Sequence, residues 1–200
     1  MPSRRAVVGV TCEMIHAPGH EVSHGGGRVN LRAMPEIIFE ALHEGVEPPR
    51  RATAASAGHD LSLCLRGGRV KVFRGPEAAD RPVTRDADGA FVELAPGEKA
   101  LFPLGFRMRL PVGYEAQVRP RSGTSLKTDL VIVNSPGTID ADFPDECCVP
   151  VKNGGAGPLR VRDGERIAQM VFARYESLDF TAGAVTRTTE RVGGFGSTGR

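Results

Sequence analysis

The residue types best suited to chemistry fall in a few short polar runs. Asn134-Ser-Pro-Gly-Thr-Ile-Asp-Ala-Asp-Phe143 places two carboxylates around a turn that reads as a hairpin. Gly137 there allows a ligand to approach the backbone. Asp140 follows Ile139 and is expected among apolar neighbours, an environment that suits a general base; the plain alternative is a turn carboxylate facing water. Arg119-Pro-Arg-Ser-Gly123 gathers guanidinium, hydroxyl and glycine just before a helix start, where amides and Arg forks both favour phosphate. An N-cap role explains Ser122 equally well. Ala57-Gly-His-Asp-Leu61 sets Asp60 at the start of a strand, and Arg166-Ile-Ala-Gln169 sets an amide, Gln169, in another. Finally, Val192-Gly-Gly-Phe-Gly-Ser-Thr-Gly-Arg200 is too rich in glycine to hold a fold by itself, and a disordered tail is its bland reading. It nevertheless carries Phe195, able to stack on a base. Ser197, Thr198 and the flanking Arg191 and Arg200 are able to bind phosphate oxygens.

These runs must be positioned by strands. Apolar stretches at Ile37-Ile-Phe39, Val70-Lys-Val-Phe73, Phe91-Val-Glu-Leu94, Phe106-Arg-Met-Arg-Leu110 and Tyr114-Glu-Ala-Gln-Val118 are short and separated by glycine and proline. Val131-Ile-Val133, Leu159-Arg-Val161 and residues 167–172 continue the series. Several alternate with period two, which predicts an all-β sandwich, jelly roll or small barrel. The one helix candidate is residues 122–128. Residues 1–35 read as an N-terminal extension with little strand character. Residues 67–88 read as a charged excursion peripheral to the fold.

Two hundred residues fit one domain with an appendage. A formal charge of +2 is too small for a nucleic-acid footprint, and no apolar run approaches a membrane span. The start resembles a signal peptide's charged region, but its apolar stretch stops at Thr11-Cys-Glu13; the expectation is a cytoplasmic protein. Four cysteines without a Cys-x-x-Cys are expected to be packing residues, with Cys147 and Cys148 facing opposite sides of a strand. Cys12, His16, His20 and His24 recur every four residues, yet Pro18, Gly19 and Gly25-Gly-Gly27 argue against a helix that would align them on a metal. No P-loop, Gly-x-Ser-x-Gly elbow or His-Glu-x-x-His is present.

Taken in order, Ala57-Gly-His-Asp-Leu61, Arg119-Pro-Arg-Ser-Gly123, Gly137-Thr-Ile-Asp-Ala-Asp-Phe143, Gly164-Glu-Arg-Ile-Ala-Gln169 and residues 191–199 resemble the five motifs of the trimeric dUTPases. The resemblance runs from about Ile37 to the C-terminus. It implies a β jelly-roll domain over residues 36–185 and a C-terminal arm over 186–200 that closes the active site. It also implies a homotrimer with active sites shared between subunits. The implied reaction is hydrolysis of dUTP to dUMP and pyrophosphate with Mg²⁺ held mainly by the triphosphate and water, which keeps uracil out of DNA and supplies dUMP. By the same resemblance, Asp140 would activate the water and Asp60 would anchor the site and the metal's waters. Arg121, Ser122, Gly123 and Gln169 would bind the phosphate chain. The backbone of Gly137, Thr138 and Ile139, with Asn134, would read uracil, and Phe143 would lie against deoxyribose. Phe195 and Gly196 would cover the base while Arg191, Ser197 and Thr198 bind phosphates.

The chain departs from the family pattern at three places. Phe143 replaces the usual tyrosine, Pro144-Asp-Glu146 stands where Arg-Gly-Glu is usual, and one residue rather than two separates Arg191 from Gly193. His59 occupies a position where tyrosine or an aliphatic residue is common, and a packed neutral imidazole is expected there. Two alternatives share the fold: a dCTP deaminase, which relies on a glutamate in the hairpin region and usually lacks this tail, and a nucleotide-binding regulatory protein.

Overall fold

The computed structural model describes residues 35–190; the readings on residues 1–34 and on the tail from Arg191 onward lie outside them. All strand pairings among the described residues are antiparallel, and one six-residue helix is present. The all-β expectation holds. The predicted strand stretches form as well, and several bury one face. β3 (Arg69–Arg74) buries Val70 and Val72 and exposes Lys71. β9 (Tyr114–Arg119) buries Ala116 and Val118. β12 (Cys148–Asn153) buries Val149 and Val151. The inward side chains meet in one core around Leu61, Leu65, Leu94, Phe102, Ile167 and Met170. Cys147 is buried and Cys148 half-buried, and burial pushes both thiols up, to about 11 and about 12.

Residues 67–88 are not peripheral. β3 turns through Gly75 and Pro76 into β4 (Glu77–Pro82), with Gly75 at φ +61 as a two-residue hairpin with glycine first requires. β3 joins β7 (Lys99–Pro103), so the hairpin extends the sheet β10 (Leu130–Ile132), β12, β7, β3, β4. The chain then crosses as β5 (Thr84–Asp86) to pair with β6 (Gly89–Leu94) in another sheet. Burying Val70 and Val72 contributes about 2 kcal/mol each. β4 buries none of its side chains. Beyond its ladder with β3, its hold is electrostatic: Arg81 forks onto the buried Glu98 at 2.7 and 2.9 Å, and Arg74 of β3 adds a third contact to that carboxylate at 3.2 Å.

The run 134–143 does not close a hairpin on itself. β11 (Gly137–Ile139) pairs with β9, and the chain then turns, Phe143 N–H donating to the Asp140 carbonyl at 3.3 Å, before reaching β12 in the other sheet. Burial decides this: Gly137 and Ile139 are buried beside β9 and Thr138 faces out.

Candidate active site

The four-stranded sheet β11, β9, β14, β2 carries every described motif. β2 (His59–Ser62) holds Asp60, and β14 (Arg166–Arg174) holds Gln169. Asp60 lies directly across from Gln169, and Gln169 directly across from Arg119. One residue further along β9, Val118 faces Gly137 of β11. Segments more than a hundred residues apart in sequence therefore share one row of a sheet. β9 leads straight from Arg119 into α1 (Ser122–Lys127), whose N-cap is Arg121 without a capping side-chain bond. Ser122 is thus not the cap, and its hydroxyl stands exposed at the helix start.

Around this row Asp60 is held by two guanidinium groups. Arg121 Nε donates to Oδ1 at 2.8 Å and Arg166 Nη1 donates to Oδ2 at 3.0 Å. Arg121 also donates to the Arg166 carbonyl at 3.2 Å. The Gln169 amide donates to the Pro120 carbonyl at 2.8 Å, which ties the strand to the turn that presents Arg121 and Ser122. These groups open on a cleft of about 380 Å³ lined by Gly58, Asp60, Arg121, Ser122, Gly123 and Gln169. The arrangement offers forked cations, helix-start amides and a hydroxyl to an anion. Next to it, Asn134 lies over Gly137, where an added Cβ would come within 2.9 Å of its amide nitrogen.

Asp140 and Phe143 stand apart from this cleft. Ile139 pairs with Ala116, so Asp140 lies level with Glu115, four residues along β9 from Arg119. At strand spacing that is about 13 Å. Asp140 is exposed within the chain, because the strand ends at Ile139, whose side chain is the last on it to point inward. Phe143 is exposed as well, beside Arg107, Met108 and Ala141.

A sequence model of the dUTPase family matches residues 90–199. Deoxyuridine 5'-triphosphate nucleotidohydrolase of Rhizobium meliloti is 41% identical over 157 residues, 78% of this chain and 85% of the relative. The chain belongs to the dUTPase family.

Its activity is accordingly that of a dUTP nucleotidohydrolase. The fold agrees. The dUTPase of Staphylococcus bacteriophage 80alpha with dUpNHpp superposes with a TM-score of 0.61 at 24% identity, covering 82% of this chain and 98% of that one. A mutant dUTPase of phage phi11 of S. aureus, described with a structural Mg(II) ion, gives 0.59 at 20% identity over 76% and 99%. The dUTPase sequence match begins at Ala90, after Asp60 and the β3–β4 hairpin.

Two of the positions singled out in the sequence of this dUTPase have defined surroundings among the described residues. Pro144 and Asp145 lie in the exposed loop after β11, while Glu146 accepts from Gly105 N–H at 2.8 Å and fastens that loop to the core. His59 alternates with Asp60 and turns inward, its ring centroid 5.2 Å from that of Phe172 in an edge contact. Burial lowers its pKa, which agrees with a packed neutral imidazole. Sequence reasoning passed over two participants: Arg166, within the Gly164-Glu-Arg-Ile-Ala-Gln169 motif, and Gly58, two residues before Asp60. Motif membership was the available signal for both.

Proposed function

We propose that this chain hydrolyses dUTP to dUMP and pyrophosphate at sites shared between three subunits. The observation that carries the reading is the Asp60–Gln169–Arg119 row with Arg121 and Ser122 at its end: a preformed anion cradle assembled from three motifs. Arg121, Ser122, Gly123 and Gln169 hold the phosphate chain. Gly137, Thr138 and Ile139 read uracil with Asn134, and Phe143 packs on deoxyribose. Asp140 takes a proton from water as that water attacks the α-phosphorus in line, and pyrophosphate leaves with the P–O bond electrons. Arg191, Phe195, Gly196, Ser197 and Thr198 close over the nucleotide and exclude water.

The separation of Asp140 from Arg121 within one chain supports a shared site. A cradle and a base about 13 Å apart along one strand act on one phosphate only if a second copy supplies the other half. A solution mass near three times 21.3 kDa is expected.

For Mg²⁺ the donor set is informative. Among the described residues no three His, Cys, Asp or Glu side chains converge to cage an ion, and both Asp60 oxygens already accept from arginine. That fits a magnesium ion carried by triphosphate oxygens and water, with Asp60 meeting its water shell. So bound, it offsets phosphate charge.

The test is a panel of dUTP, dCTP, dTTP and UTP with Mg²⁺, assayed for pyrophosphate and ammonia. Pyrophosphate from dUTP alone is expected. Ammonia from dCTP would indicate the deaminase chemistry, and comparable turnover of dTTP would overturn the uracil-reading assignment.

A further inference from the structure

β14 breaks the strand alternation at the site. Arg166 pairs with Ser62 and Ala168 with Leu61, so Ile167 is an extra residue in β14, a β-bulge. In a regular strand, residues three apart face opposite sides. Here Ile167 and Ala168 are both fully buried, and the alternation resumes one residue out of phase. The bulge therefore brings Arg166 onto the outward face with Gln169 and Asp60. There Arg166 Nη1 meets Asp60 Oδ2 at 3.0 Å, and the Arg166 carbonyl receives Arg121 Nη1 at 3.2 Å. Arg121 Nε occupies the other Asp60 oxygen at 2.8 Å.

We propose that Arg166 is a positioning residue for the phosphate cradle: it locks the Asp60 carboxylate in the plane that Arg121 needs, and so aims Arg121 at the phosphate chain. The inference rests on the dUTP reading of the cleft. It assigns Arg166 no contact with substrate. Asp60 with one free oxygen can rotate about its side-chain bonds and release Arg121 from a single orientation. With both oxygens engaged by cations, rotation breaks two charge-assisted bonds. The Arg166 side chain is 59% exposed against 21% for Asp60, so Arg166 can be changed without opening the core.

The experiment is a double-mutant cycle on the full chain, with dUTP hydrolysis and KM as readouts and melting temperature as a control. Arg166→Gln should raise KM for dUTP about fivefold or more, on the scale of one charge-assisted hydrogen bond, and lower kcat less than about twofold. In an Asp60→Asn background the same change should alter KM by less than about twofold, because the route from the Arg166 side chain through the Asp60 carboxylate is already gone and the Arg166 carbonyl is untouched by the substitution. Arg166→Lys keeps a cation opposite Oδ2 and should restore KM to within about threefold of the parent. An equal KM penalty in both backgrounds, or none in the parent, would overturn the inference. So would a loss in Arg166→Gln that tracks a fall in melting temperature and not the cycle. If the parent itself released no pyrophosphate from dUTP, the reading of the cleft would fail instead; the parent's turnover separates the two failures.

Discussion

Gln169 crosses directly over Gly58: a methyl group added to Gly58 would overlap the Gln169 side-chain oxygen and lie 3.0 Å from its amide carbon. Glycine here makes room for the Gln169 amide by close approach and not by backbone conformation. Gly58→Ala should push the amide off the Pro120 carbonyl while leaving the sheet intact. Losing one hydrogen bond at the cradle predicts a KM for dUTP raised up to about tenfold, with little change in melting temperature. A steady-state titration with dUTP checks it, and an unchanged KM would separate the amide from binding.

Asp140 stands at the end of β11, where its carboxylate is free of the core. Asp140→Asn keeps the shape and removes the base. Turnover should fall by about a hundredfold or more, the usual range for general-base loss, with dUTP affinity close to the parent's. Pyrophosphate release and calorimetric binding of dUTP measure the two halves separately. A variant that keeps its rate would remove Asp140 from the base role.

Glu98 links stability to acid. The Arg81 guanidinium, forked onto the buried carboxylate, is the main reason it titrates at about 2 instead of the ordinary 4.5; the Ala95 amide and Arg74 add to the effect. The unfolded chain takes up the proton near 4.5 and the folded chain resists until about 2. The stabilisation is thus complete above 4.5 and is lost as pH falls toward 2, with a full size of about 3 kcal/mol. Glu98→Gln should lower the urea midpoint at pH 7, and the gap to the parent should narrow steadily between pH 4.5 and 2.

His59 works in the same direction at milder pH. Burial lowers its pKa, so the unfolded chain protonates first and stability falls as pH drops below the ordinary 6.5. Its buried Nδ1 has no hydrogen-bond partner. His59→Leu should keep dUTP turnover, hold or raise the melting temperature at pH 7, and flatten the decline between pH 7 and 5. Loss of activity without loss of fold would give His59 a role in the site.

Much of the architecture was legible because strand alternation is a local property. Val70 and Val72 about Lys71, or Ala116 and Val118 about Gln117, mark an inward and an outward face before any partner is known. β4 was illegible for the complementary reason. Glu77-Ala-Ala-Asp-Arg-Pro82 has no apolar face, and it is a strand only because β3 offers it a hairpin partner and Glu98 holds Arg81. β11 misled because a turn with proline and glycine suggests pairing with the next stretch of chain, whereas burial of Ile139 sends it to β9.

Sequence alone determined the chemistry available: Asp140, Asp60, Arg121, Ser122 and Gln169 stand in the order and spacing of the dUTPase motifs, and residue identity is all such a pattern needs. Tertiary structure decided which of these groups meet. Register set Asp60, Gln169 and Arg119 in one row, and the bulge at Ile167 turned Arg166 onto Asp60. The sheet's direction carried Asp140 away from Arg121. Those are matters of pairing between distant strands, and a chain records them only through the total burial that selects one register over its neighbours.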